Sequence, residues 1–228
     1  MVFSPRAVSV AALRGQAAVV NALLRLGVVP GRLALVDAVA GGSVAVAEEI
    51  RRRHGPRLDA GGALLEAAAA RGDVPMLRWL MTMAVASGEL AAAAAAAMAG
   101  AAANGHLEAL QLLEPLLPEG TSCMAAVRAA ARCGRIDCLR FLHERGLGGG
   151  SDVGGSDGSG GEADDGAVKA ERGTALDEAA GAGHLHVVAF LHKLLPAGSA
   201  AAALALARRN GHASVAAYLV ATEPEAVV

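Results

Sequence analysis

Apolar and polar positions along the chain follow a pattern that recurs seven times around a glycine, which we call the anchor glycine. Positions are numbered from it, so +4 is the fourth residue after it. An alanine always occupies −4, a leucine or isoleucine always occupies +8, and apolar residues occupy −7, +4 and +5. Since +4, +5 and +8 share one helical stripe, each unit is predicted to be two short amphipathic helices joined at the glycine. The anchors are Gly15, Gly42, Gly72, Gly105, Gly134, Gly183 and Gly211.

The anchor glycine has a conformational reason to recur. A helix that turns directly into an antiparallel partner commonly ends on a residue in the left-handed conformation, which glycine adopts without a Cβ penalty. The +1 residue is often polar, as in Ser43, Asp73 and His106, and is predicted to start the second helix. The alanine at −4 suits a place where neighbouring first helices pack closely.

Two segments carry a family resemblance. Residues 104–113, Asn-Gly-His-Leu-Glu-Ala-Leu-Gln-Leu-Leu, resemble the second-helix signature of ankyrin repeats, and residues 174–180, Thr-Ala-Leu-Asp-Glu-Ala-Ala, resemble the opening of an ankyrin unit. The resemblance covers residues from about 6 to 220. It implies an all-α, ankyrin-like helical repeat solenoid formed by a single array. Its seven units are expected around 6–29, 33–55, 63–86, 96–118, 125–146, 174–196 and 202–221.

Successive anchors are 27, 30, 33, 29, 49 and 28 residues apart, against about 33 in ankyrin arrays. The deficit falls between one unit's second helix and the next unit's first helix, so the projecting finger of ankyrin repeats should be a trimmed loop. The long spacing contains a Gly-, Ser- and Asp-rich stretch that is too polar to form a core. We expect residues 147–172 to be a flexible insertion within the array. Its acidic residues do not fit the EF-hand spacing, which favours a solvated linker over a calcium site.

Composition adds further expectations. Aromatic residues are only 2% of the chain, so the core should be built from alanine and aliphatic side chains. A formal net charge of −2 argues against nucleic acid or anionic membrane as a partner. The longest apolar run, residues 90–103, is too short and too rich in alanine to span a bilayer. The three cysteines lack a disulfide or zinc spacing, which favours a reducing compartment. A cytoplasmic monomer is expected, with a nuclear location as the alternative.

The candidates for chemistry in the sequence are few. A His-x-His pair, His184 and His186, can bind metal, and His192 lies nearby. However, His184 shares position +1 with His106 and His212, which favours a structural role. Neither a nucleophile with its base nor a strand before a Gly-rich loop is evident. The sequence therefore predicts no catalytic, metal or cofactor site, and no enzyme.

Two smaller features have alternative interpretations. Four of the five aromatic residues share position +7, which favours a packing ladder between neighbouring units over an exposed stripe. The basic run at residues 51–54 closes a second helix and is interpreted as a solvated helix end. The +7 aromatics are Trp79, Phe141, Phe190 and Tyr218.

Function follows from the resemblance. Stacked helix pairs form an extended concave surface, so we expect a scaffold or adaptor that binds a protein partner through its first helices. One alternative is the non-catalytic ankyrin part of an enzyme lineage such as sphingomyelin phosphodiesterase-related proteins. Another is a fragment of a longer structural array, since no polar capping unit is obvious at the C-terminus. The candidate contact residues are Glu66, Arg71, Arg128, Arg132, Asp177, Glu178 and Arg209.

Overall fold

The computed structural model describes residues 4–31, 33–54, 61–84, 90–147, 173–195 and 200–222, and these ranges contain helices and no strand. The all-α class is therefore confirmed for this part of the chain. Residues 148–172, which make up most of the predicted insertion, lie outside the described residues. The helices are α1 Pro5–Leu13, α2 Ala17–Arg25, α3 Ala34–Ala40, α4 Val44–His54, α5 Gly61–Arg71, α6 Val74–Ala84, α7 Leu90–Asn104, α8 Leu107–Leu113, α9 Met124–Arg132, α10 Ile136–Glu144, α11 173–181, α12 Leu185–His192, α13 Ala201–Arg209 and α14 Ala213–Thr222.

Consecutive helices pack as seven pairs, each with one anchor glycine between its two helices. We number the pairs 1 to 7, from α1–α2 to α13–α14. First helices also pack on first helices, from α1 on α3 through to α7 on α9. Second helices pack on second helices in the same way, including α8 on α10 and α12 on α14. None of the helices in the described ranges is long and apolar enough to cross a membrane.

Every pair turns at its anchor glycine with the same hydrogen bonds. The seven anchors have φ between +65° and +84°, which confirms the predicted left-handed conformation. The glycine N–H donates to the carbonyl at −3, and the +1 N–H donates to the carbonyl at −4. In pair 3 these are the bonds from Gly72 to Ala69 and from Asp73 to Ala68, both 3.0 Å long. This Schellman motif satisfies two carbonyls that the helix end would otherwise leave open.

The core is built from the recurring apolar positions. Every −4 alanine is at most 3% exposed and every +8 residue at most 8%. Cys138, predicted to be a small core residue, is 1% exposed, and burial raises the pKa of its thiol.

First helices approach one another closely, as the small residues predicted. A Cβ on Gly100 would lie 3.2 Å from the Cβ of Ala70 in the preceding pair. A Cβ on Gly41 would collide with the backbone carbonyl of Ala12. The first helix of pair 4 begins at Leu90, whereas the sequence pattern placed its start near 96, because its alanine run favours a longer helix.

Replacing an anchor glycine should separate conformational strain from inter-pair contact. Gly183 and Gly211 share a left-handed φ, but only a Cβ at Gly183 would meet a neighbour, the ring of His212 at 2.6 to 3.0 Å. Gly211→Ala should lower the free energy of unfolding by about 1 kcal/mol. Gly183→Ala should cost more, because His212 must move. Urea denaturation measures both variants, and equal losses would contradict the contact.

Candidate functional site

The first helices present one exposed face to solvent. Positions −8, −7, −4 and −3 are mostly buried, whereas −9 is exposed in every pair. Residues at −9, −6 and −2 lie three and four apart and therefore share one side of a helix. We call these positions the outer stripe.

Five of the seven candidate contact residues lie on the outer stripe. Glu66 and Arg128 at −6, and Arg132 and Arg209 at −2, are exposed, while Asp177 at −6 is half-buried. None of them takes part in an ion pair found among the described residues. The candidates therefore make the stripe acidic on α5, basic on α9, acidic on α11 and basic on α13.

The other two candidates lie beside the stripe. Arg71 is exposed at −1, but its guanidinium lies against the anchor Gly42 of the preceding pair. Glu178 is half-buried at −5. Between the charged helices, α7 contributes only small residues to the stripe, namely Ala96, Ala99 and Ala103.

Asp177 is the one candidate with an unusual environment. Its Oδ1 is buried and has no hydrogen-bond partner in the described structure. Burial raises the pKa of this carboxyl above its ordinary value. A carboxylate oxygen without a partner opposes folding, so Asp177 is not explained by the stability of the fold.

The +1 side chains fall into two groups, depending on what they bond. Ser43 Oγ accepts a hydrogen bond from the Val46 N–H at 3.4 Å, and Asp73 Oδ1 accepts one from the Met76 N–H at 3.1 Å. These two residues cap the second helix of their own pair, as the sequence predicted.

Histidine and arginine at +1 instead reach back to the preceding pair. Arg135 Nε donates to the carbonyl of Ala103 at 3.3 Å, and His184 Nε2 lies 3.0 Å from the carbonyl of Arg132. His212 Nε2 lies 3.0 Å from the carbonyl of Gly181. Every acceptor is the −2 carbonyl, so each imidazole Nε2 donates to a helix end. The sequence showed that these residues share a position but could not identify the acceptor.

These contacts also account for the histidine pair that the sequence offered as a metal-site candidate. His186 Nε2 lies 3.1 Å from the carbonyl of Gly134, next to the His184 bond. Within the described ranges, no group of three His, Cys, Asp or Glu side chains could hold a metal ion. Both histidines bond to pair 5, so pairs 5 and 6 are in contact although their anchors are 49 residues apart in sequence.

Aromatic residues at +7 pack against the preceding pair. The Phe190 ring meets His143 edge-on with centroids 5.8 Å apart, and Tyr218 meets His192 in the same way at 6.0 Å. Both histidines are at +9. Phe141 is 8% exposed, and Trp79 packs against the core. These contacts agree with the packing interpretation of the aromatic ladder.

Position +11 forms a further link between pairs. Arg53 Nη1 donates to the carbonyl of Leu24 at 3.0 Å, and Arg145 forms a 3.0 Å ion pair with Glu114. Both acceptors are at +9 of the preceding pair. Arg53 also pairs with Glu49 at 2.9 Å. The basic run at 51–54 is therefore more than the solvated helix end that the sequence suggested, since Arg53 fastens pair 2 to pair 1.

Comparison with models of known protein families and with curated proteins finds no match to this chain.

Asp177→Asn should stabilise the protein at neutral pH. The raised pKa means that the folded state disfavours the charged carboxyl, which lowers the free energy of unfolding. This loss of stability is complete at pH values above the pKa of Asp177 in the folded protein. It disappears below the pKa of an aspartate in the unfolded chain, which is about 4. The variant should melt about 2 °C higher than the wild type at pH 7, with no difference near pH 3. Differential scanning calorimetry across this range checks it. Asp137→Asn, the same change at an exposed site, is the control, and an equal gain there would contradict the argument.

Proposed function

We propose that the chain is an ankyrin-like repeat solenoid that binds a protein partner along the outer stripe of its first helices. The seven identical glycine turns and the recurring bonds from +1 to −2 support this architecture, because they relate successive pairs by the same contacts. Arrays of this kind offer an extended surface rather than a pocket. The resemblance of residues 104–113 and 174–180 to ankyrin repeats supports the same proposal.

The observation that carries the binding role is the alternating charge of the outer stripe. Exposed charges contribute little to the stability of a fold, and Glu66, Arg128, Arg132 and Arg209 have no ion pair among the described residues that would hold their side chains. Asp177 opposes folding, as argued above. Such charges make good specificity contacts, because a partner must match their order along the array. The alanines of α7 leave room for that partner to lie close to the surface.

Reversing the charge on α9 should remove the partner. In the variant Arg128→Glu with Arg132→Glu, two carboxylates would face the acidic groups of the partner that the arginines attract in the wild type. This repulsion should weaken binding about tenfold or more. Quantitative affinity purification identifies proteins that the wild type captures and the double variant loses. Titration of the purified partner then measures the affinity.

Arg140→Glu provides the matched control, because Arg140 is exposed on the second helix α10 and not on the outer stripe. It should retain the partner with unchanged affinity. Capture of the same proteins by the double variant as by the wild type would refute the assignment of the outer stripe.

A further inference from the structure

Exposed apolar side chains concentrate at the N-terminal end of the described chain. Seven large apolar residues are exposed in the described ranges, and Leu185 is the only one outside pair 1 and the loop that follows it. A surface cluster of this kind usually marks an interaction site. The other six are Val10, Leu13, Val19, Leu26, Val29 and Leu33.

Position +4 shows why pair 1 differs. In pairs 2 to 7 the +4 residue is at most 1% exposed, whereas Val19 in pair 1 is 45% exposed. The residue type is not the reason, because Val46 and Val187 are buried at the same position. Among the described residues, no helix pair precedes pair 1.

Contacts elsewhere in the chain define which positions face the preceding pair. Position −5 does so, since Gly100 lies against Ala70. Position −1 does so, since Asn210 Nδ2 donates to the carbonyl of Gly181 at 2.7 Å. Positions +1 and +11 do so through the bonds of His212 and Arg53 described above.

In pair 1 the same positions are exposed to solvent in the part of the chain that the structure describes. They are Val10 at −5, Arg14 at −1, Gln16 at +1, Val19 at +4 and Leu26 at +11, and all five are exposed. We call these residues the N-terminal face. It combines three apolar side chains with two hydrogen-bond donors. Elsewhere in the chain these positions form the side of each inter-pair interface that belongs to the following pair.

The opposite end of the chain does not complement this face. Position −3 faces the following pair and is fully buried alanine or valine in pairs 1 to 6, but in pair 7 it is the exposed Arg208. Stacking a second copy head to tail would bring Arg208 and Arg209 towards Arg14. Among the described residues, pair 7 therefore presents arginine where the preceding pairs present alanine or valine.

Pairing two N-terminal faces is also disfavoured by charge. Residues 4–36 contain no aspartate or glutamate, while Arg6, Arg14 and Arg25 are exposed. Two such faces would bring like charges together, and the Arg14 of each would find no carboxylate on the other. The face therefore fits a partner that supplies carbonyls and negative charge.

We propose that the N-terminal face docks a helix end of another protein, one with a small apolar side and a carboxylate in its last turn. Val10, Val19 and Leu26 bury the apolar side. Arg14 and Gln16 donate to the last-turn carbonyls, as Asn210 and His212 do within the chain, and Arg14 pairs with the carboxylate. This surface is distinct from the outer stripe and does not depend on its function.

Binding of a defined helical probe tests the proposal. The acidic probe is a fluorescent, lactam-bridged helix of alanine and leucine with glutamate in its last turn, and the basic probe has lysine instead. Fluorescence anisotropy should show that the acidic probe binds the wild type more tightly than the basic probe does. Val19→Glu and Arg14→Glu should each weaken acidic-probe binding roughly tenfold.

The controls make the same changes elsewhere. Leu185→Glu alters an exposed apolar residue away from the N-terminal face, Arg140→Glu reverses an exposed arginine on α10, and both should bind like the wild type. Circular dichroism checks that the variants are folded, and Val19→Ser, a milder change at the same site, should weaken binding in the same direction.

Three outcomes would overturn the proposal. The first is a binding measurement in which the acidic probe does not bind the wild type more tightly than the basic probe does, or in which the acidic probe binds folded Val19→Glu and Val19→Ser as tightly as it binds the wild type. The second is a dimer in light scattering that Val19→Ser abolishes, because the occupant would then be a second copy. The third is binding to phosphatidylserine vesicles, lost in Val19→Ser, without binding to the acidic probe, which would make the face a membrane contact.

Discussion

The structure depends on how each first helix ends. A helix leaves its last carbonyls without partners, and here three of them are satisfied in a fixed order. The glycine turn supplies donors to the carbonyls at −4 and −3 in every pair. The carbonyl at −2 receives a side chain from the next pair in the bonds made by Arg135, His184 and His212. Ending one helix thus also positions the next pair.

Hydrogen bonds between pairs are needed because the side chains in the core are small. Each buried alanine removes little apolar area from water, so its contribution is small compared with that of leucine or phenylalanine. Alanine and glycine nevertheless let first helices approach until backbone meets backbone, as at Gly41 and Ala12. A smooth alanine surface does not by itself fix how far one helix pair is shifted along the next. The directional hydrogen bonds from +1 and +11 fix this register.

The features that the sequence predicted correctly depend on one helix pair alone. The left-handed glycines and the buried −4 and +8 positions follow from helical periodicity and backbone sterics. The direction of the +1 side chains could not be predicted in the same way. Ser43 and Asp73 carry oxygens that accept a hydrogen bond from their own helix, whereas His184 and Arg135 donate to a carbonyl that only the neighbouring pair supplies.

Contacts between pairs also explain for which surface residues the sequence predicted the exposure correctly. Glu66 and Arg128 at −6 are exposed, as expected, whereas Asp177 at the same position is half-buried. Arg71 at −1 is drawn towards the preceding pair, and Val19 is exposed although its sequence position matches buried residues. Among the described residues, the outer stripe contributes backbone carbonyls at −2 to the bonds between pairs but none of its charged side chains, so these charges can vary without altering the stacking. The N-terminal face is made of stacking positions, so its specificity is limited to partners that end like a helix of this chain.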